Sequence, residues 1–487
     1  MSEMKKGDTI VDYVAPKARH PWWKYASNGT SQFAFNIVGT PMSIFLYYYY
    51  EVILGLNGAL IFIAMSIFMI WNAINDPLFS FIMDRNTRLT KRWGRRFPWM
   101  FIGIIPWCLT FYFIFAAPDI DGTTNPWPLF WYLIILLSLQ DTFYVFIGIN
   151  VGSVRPDLFR TEDERRKLVP WWTGMDIVST IISMIVGPYL IGSGNSKAAF
   201  AFMAAIFGIS ALLALLISLP GNWEDKITKE RYFQISQEKE KVSFFTSVGH
   251  AFKTKSVMIY LIILAAWIIV SNLLLENSLY INTFILQGNP DDYMIILAVL
   301  ILAVIISIPV WLIILKKKGN KYTFSLGGFL IVLALIPITF AFTFESLLIM
   351  MGILGFTMGS YWALMYTTIQ AIVFDDFGVK YKTSQKAIIF GVIGFITTLF
   401  TTIDEGLIAL VHNLTGFVPG QETYAEMLAA VTLAGGDINL VLFGIRLLSG
   451  IIPALVLFIG VFIFWKYFPL TMEKVIENKL KLKELGL

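Results

Sequence analysis

Histidine, cysteine and charge are scarce in this chain. Of 487 residues, three are histidine, one is cysteine and 14% are charged. His20, His250 and His412 lie far apart, so no histidine-built metal site is expected, and Cys108 alone allows neither an internal disulfide nor a metal–thiolate cluster. No glycine-rich nucleotide loop occurs, and no nucleophile and base cluster at one place, which argues against a membrane-embedded enzyme and against an organic cofactor. A net charge of +4, carried in short clusters between apolar runs, excludes nucleic acid as the expected partner.

What is abundant is apolar surface: 57% of residues are hydrophobic and 16% aromatic, with a mean hydropathy of +0.69. That is the balance of a chain that lives in a bilayer. Segments of the roughly 20 residues needed to cross about 30 Å of hydrocarbon fall at 30–52, 54–83, 98–117, 128–153, 169–191 and 198–219, and again at 257–285, 292–315, 322–343, 346–374, 387–411 and 439–465. The expected fold is all-α, with twelve transmembrane helices in two bundles of six. Residues 1–220 form the first bundle, 221–256 a charged linker with the pattern of an amphipathic surface helix, and 257–487 the second.

Lys and Arg decide the orientation. All but Lys197 and Arg446 of the 37 sit in the N-terminal stretch, the C-terminal stretch or the even-numbered connections, and the odd-numbered connections carry acids such as Asp119, Asp121 and Glu422. Positive residues stay on the cytoplasmic side, so both termini are expected in the cytoplasm of a multi-pass cell-membrane protein, read as a monomer in contact with membrane lipid. Tyr47 to Tyr50, ahead of Glu51, have the look of an interfacial aromatic belt.

Three stretches carry a family resemblance. INDPLF at 74–79, followed by MDR and WGRRFPW, resembles the second-helix signature of the glycoside-pentoside-hexuronide cation symporters, the melibiose permease group of the major facilitator superfamily. The run from Arg155 to Pro170, RPDLFRTEDERRKLVP, is similar to that family's loop after the fourth helix, and DDFG at 375–378 to the motif closing its tenth. The resemblance implies two six-helix bundles around a central cavity that opens alternately to either side. It also implies a cation site between the second and fourth helices, fed by two acids one turn apart. Asp76 matches the second acid, and Asn72 stands at the first. Asp84, Arg85, Arg95 and Arg96 match the residues of a charge network that holds the cytoplasmic gate shut.

An ionisable group at membrane depth needs a partner, water or a proton. Asn72, Asp76 and Ser80 share one helical stripe, which suits a proton or a singly charged cation such as sodium at Asp76. In the fourth segment Asp141 is a second candidate for coupling. Tyr144 shares its face, and Asn150 lies further along. Asn272, Glu276 and Tyr280 repeat at four-residue spacing in the seventh segment, as do Trp362, Tyr366 and Gln370 in the tenth. Aromatic rings that stack on a pyranose, with amides and acids for its hydroxyls, would make a sugar site. Asp404 and Glu405 are the candidate counter-ions for Arg446.

The function expected is secondary active transport, a small glycoside-like solute moving with a proton or sodium. Symport of an amphiphile such as a lysophospholipid is the alternative, along with uniport and a receptor that binds without transport.

Overall fold

The computed structural model describes residues 20–83, 93–159, 161–192, 196–225, 228, 249, 252–341, 343–381 and 386–484. The expected gate residues Asp84 and Arg85 and most of the linker at 221–256, all but 221–225, 228, 249 and 252–256, lie outside them. The helices are α1 (Trp22–Tyr48), α2 (Gly58–Met83), α3 (Phe97–Phe115), α4 (Pro126–Leu158), α5 (Glu162–Ile191), α6 (Lys197–Ser218), α7 (Lys255–Tyr280), α8 (Pro290–Lys318), α9 (Asn320–Leu335), α10 (Phe344–Leu364), α11 (Gln370–Tyr381), α12 (Lys386–Thr415), α13 (Tyr424–Leu433), α14 (Ile438–Ser449), α15 (Ile451–Tyr467) and α16 (Met472–Glu484). Among the described residues ten spans are long and apolar enough to cross a bilayer. Helices α1 and α12, of 27 and 30 residues, have the length as well. In hydrocarbon every backbone N–H and C=O must find its partner inside the protein, which is why apolar runs of this length fold as helices.

Packing follows one scheme twice. In the first six helices, α1 packs on α5 and α6, α4 on α2 and α3, and α3 on α6. Later, α7 packs on α12 and α15, α10 on α8 and α9, and α9 on α15. The two sets meet through α1 with α7, α2 with α12 and α5 with α8.

Among the described residues three helices carry π-helical turns. Helix α1 widens into a π-helical turn at Tyr49–Ile53, α7 into one at Ile281–Leu286, and α10 passes through one at Met365–Ile369 into α11. Such turns cluster at functional positions because they re-aim side chains within a continuous helix. The twelfth segment, expected as one helix, divides into α14 and α15. Pro453 cannot donate to the Ser449 carbonyl in the turn before it, and at the break the Ile451 N–H donates to the Thr339 hydroxyl at 3.1 Å.

Candidate functional site

Asp141 on α4 is the best-held carboxylate in the membrane region. Its Oδ1 accepts from Asn72 at 2.9 Å and its Oδ2 from Asn75 at 2.7 Å, both amides coming from α2. Thr142 in turn donates to the Asn75 carbonyl oxygen at 3.2 Å, and Trp71 donates to Ser138 and Thr142. The i and i+3 amides of α2 thus grip both oxygens of one acid across the α2–α4 contact. Asp76 follows directly, exposed and without a hydrogen-bond partner among the described residues. Asn72 therefore belongs to Asp141, not to an Asp76 stripe, and the Ser80 side chain is outside the described residues. Tyr144, 41% exposed, stands within electrostatic reach of Asp76, Asp141 and Arg155. Its ring meets Phe35 of α1 edge-on at 5.4 Å.

Beside this pair lies a polar wall that sequence reasoning passed over. Asp176 on α5 accepts from Gln32 of α1 at 2.9 Å and from Asn36 of α1. Arg155, at the end of α4, donates to Asn28 at 3.1 Å and to Ser31 at 3.0 Å, and its guanidinium lies 4.9 Å from the Trp172 ring centroid. The signal for Asp176 was available, since an acid inside the fifth apolar segment meets the same test of depth that singled out Asp76 and Asp141. Arg155 was hidden because α4 runs five residues past the expected end of its segment, so the residue read as loop charge is helical.

The later helices divide the expected site residues. Trp362 and Tyr366 share one face of α10 and its π turn and are each 52% exposed. Gln370 is buried and presents nothing to that face. On α7, Asn272 donates to Asp404 of α12 at 3.0 Å. Glu276 and Glu405 are buried close by, each with a carboxylate oxygen that has no hydrogen-bond partner among the described residues.

Tyr280 is not at an open surface. It is fully buried and donates to Glu51 Oε2 at 2.6 Å, and His412 Nδ1 stands 2.8 Å from the same oxygen. The Gly420 N–H donates to the Glu51 carbonyl at 3.0 Å, and Tyr48 bonds Thr283 at 2.9 Å. These bonds join the first set of helices to the second at the end remote from the 93–96 loop. A Cβ on Gly58 would stand 2.6 Å from the Tyr47 hydroxyl and 2.7 Å from Glu51, so a larger residue there would push these two side-chain ends aside. Tyr47 to Tyr50 are all buried in it, which corrects the interfacial belt.

Arg95 and Arg96 precede α3. Their backbone N–H groups donate to the Glu224 carboxylate at 2.9 and 2.7 Å, an anion seated at a helix N-terminus. Gly94 allows it, with φ of 95° and Glu224 so near that any Cβ would collide. The Arg96 guanidinium donates to Asn150 at 3.3 Å. Asn150, which also donates to the Phe146 carbonyl at 2.8 Å, is fully buried and lines no open space.

A family described as MFS/sugar transport protein matches this chain over residues 27–472. A sodium-dependent lysophosphatidylcholine symporter of Danio rerio is 22% identical over 493 residues, covering 93% of this chain and 86% of the relative. An isoprimeverose transporter of Lactiplantibacillus pentosus is 25% identical over 241 residues, 48% of this chain and 47% of its own. Among solved structures, an inward-facing bacterial homologue of the human lysosomal transporter Spinster superposes with a TM-score of 0.61 at 13% identity, over 95% of this chain and 99% of the other. At that identity the likeness shows the fold, and the fold is that of major facilitator transporters. The chain belongs to the MFS/sugar transport protein family and is a multi-pass membrane transporter.

Proposed function

We propose that this transporter moves a small glycoside-like solute together with a cation, using Asp76 as the group that binds and releases the cation. The observation that carries the reading is the contrast between two neighbouring acids. Both oxygens of Asp141 are occupied by amide donors, which suits a fixed anchor, whereas Asp76 is open and without a partner among the described residues. A carboxylate without protein donors at membrane depth is left to water, a proton or a cation, so it is free to exchange one for another. Asp141 supplies the second negative charge that raises affinity for either. The sodium named for the Danio rerio relative supports sodium, with the proton as the competing ion.

Residues 1–220 and 257–487 act as two bodies linked by 221–256, with both termini on the cytoplasmic side of the cell membrane and one chain as the working unit. The Glu51 cluster then closes the outer end, and the halves part at the inner end between transport steps. Arg155, Asp176, Tyr144 and Trp172 form the first wall of the solute site, and Trp362 and Tyr366 the second. Arg95 and Arg96 position the first cytoplasmic loop against Glu224 and thereby serve the inner gate.

An amphiphilic solute is the second reading. It is favoured by the relative that matches nearly the whole chain, and by two half-exposed aromatic rings on α10 that would suit an acyl chain as well as a sugar.

Uptake into proteoliposomes tests both. Labelled xylosides and lysophosphatidylcholine are presented with sodium and proton gradients applied separately. Accumulation of a glycoside under one gradient supports the proposal. Accumulation of the lysolipid alone shifts the solute to the second reading, and no accumulation of either under any gradient refutes coupled transport.

A further inference from the structure

A groove on the outer flank of the later helices has no part in the solute path. It runs between α9 and α15, on the side away from α7, and consists of two adjoining cavities that share Phe329, of about 430 and 410 Å³. Along α9 the residues facing it are Tyr322, Ser325, Phe329, Val332 and Ile336, spaced at three and four, so they form one continuous helical face. The two ends differ in chemistry. The half toward Ile336, Leu455 and Phe458 is apolar throughout, and its Leu333, Leu455 and Phe458 side chains are 63%, 57% and 44% exposed. The other half opens at the α8–α9 connection and is lined by Lys318 and Lys321, with no carboxylate among its lining residues.

Three features of the polar end converge on an anion. Helix α9, sixteen residues long, begins here without a side-chain cap, so its first N–H groups and the positive end of its dipole point at the mouth. Lys321 donates one proton to the Phe468 carbonyl at 2.8 Å, which fixes its ammonium beside the mouth with further donors to spare. Ser325, one turn deeper, is 97% buried, lines the cavity and has a hydroxyl with no hydrogen-bond partner among the described residues. A buried hydroxyl left unpaired costs free energy unless something in the cavity meets it.

We propose that this groove binds an anionic phospholipid of the surrounding leaflet. Its phosphate sits between the α9 N-terminus, Lys318 and Lys321, a glycerol ester oxygen accepts from Ser325, and an acyl chain lies along Phe329 to Ile336. Length supports the lipid over a free phosphate: α9 rises about 24 Å, more than the roughly 15 Å of one leaflet's hydrocarbon. The terminal helix supports the same plane. On α16, Met472, Ile476 and Leu480 form an exposed stripe at four-residue spacing, 61%, 53% and 59% exposed, and Met472 lines the groove. Its other face carries the Lys474–Glu477–Lys481 ion pairs. An amphipathic helix of this kind lies at the boundary of headgroups and acyl chains, which puts the groove mouth at headgroup level.

The test is saturation binding of labelled dioleoylphosphatidylglycerol to the full-length protein in detergent, with dioleoylphosphatidylcholine and glycerol 3-phosphate as competitors. The proposal expects saturable binding that phosphatidylcholine displaces poorly and glycerol phosphate not at all. Lys318→Gln with Lys321→Gln is expected to weaken binding about 10- to 30-fold, from the attraction of two lysines for an anionic headgroup. Leu333→Trp, at an exposed position that tolerates a larger side chain, fills the apolar half and should also weaken binding while both lysines remain. If the lysine pair fails to fold, this variant and Ser325→Ala decide the matter. Equal competition by phosphatidylcholine would show an unselective lipid surface, and full competition by glycerol phosphate a soluble-anion site. Either result, or unchanged binding in the groove-filling variant, overturns the proposal.

Discussion

Glu51 and His412, 361 residues apart in the chain, meet at 2.8 Å with neither side chain more than 3% exposed. One comes from the π turn that ends α1 and the other from the last turns of α12, so the pair closes a seam between the two sets of helices. Tyr280 completes it from α7.

Removing His412 takes one hydrogen-bond partner from the buried Glu51 carboxylate, about 1.5–3 kcal/mol, and also empties the space where its ring stacks on Phe417. His412→Ala should therefore weaken the closed seam more than it weakens the fold of either half. The expected readout is faster labelling of a cysteine placed at Thr283. Tyr280→Phe removes a single hydrogen bond to a charged acceptor, about 1.5–3 kcal/mol, and should raise labelling less. Labelling unchanged in both would show that the cluster does not hold this end shut.

Asn75 should matter for stability more than its neighbour Asp76 does. It is fully buried, donates to Asp141 and accepts from Thr142. Asn75→Ala leaves one Asp141 oxygen short of a donor, at about 1–3 kcal/mol, while the Thr142 hydroxyl keeps its 2.7 Å bond to the Ser138 carbonyl. A lowered melting temperature of the purified protein is expected, whereas Asp76→Asn should leave it nearly unchanged.

Gly94→Ala places a Cβ against Glu224 at a φ of 95°. Strain of about 1–3 kcal/mol is expected from the backbone alone, and the Glu224 cap on α3 must shift as well. Glu224→Gln keeps the shape and the acceptor but loses the charge, so it should destabilise less. Thermal melting of the two variants ranks them.

At the far end of the chain, hydrogen bonds from Lys474 and Lys481 hold the Glu477 carboxyl at about 2. A depressed carboxylate contributes stability above its unfolded value of about 4.3 and loses it as pH falls toward 2. Protection of the α16 amides from hydrogen exchange should be flat from pH 7 to 5 and decline below that. Glu477→Gln should abolish the decline.

The sequence made the membrane architecture plain because apolar length and the placement of Lys and Arg are local signals. The family motif led to the α2–α4 contact, where Asp76 and Asp141 do lie together. Asn75 sits inside that motif, yet nothing local distinguishes it from Asn72. Only the helix contact shows that both amides serve Asp141. The Glu51 cluster was illegible for a different reason: four tyrosines before an acid at a helix end look interfacial until His412 and Tyr280, hundreds of residues later, arrive to cover them. Asn150 and Tyr280 carry the right chemistry for a solute site and are spent on internal bonds. Arg155 and Asp176, which line the wall instead, were masked by the underestimated length of α4 and by attention to other segments.

The most direct test of the account compares the parent, Asp76→Asn and Asp141→Asn in the same proteoliposomes, measuring both gradient-driven accumulation of solute and its exchange at equilibrium. If Asp76 binds the coupling cation, Asp76→Asn loses accumulation while exchange persists, and the lost accumulation identifies whether sodium or the proton drives transport. Asp141→Asn, which disturbs the anchor, should depress both. Accumulation that survives in Asp76→Asn at the level of the parent would contradict the assignment and remove Asp76 from the coupling step.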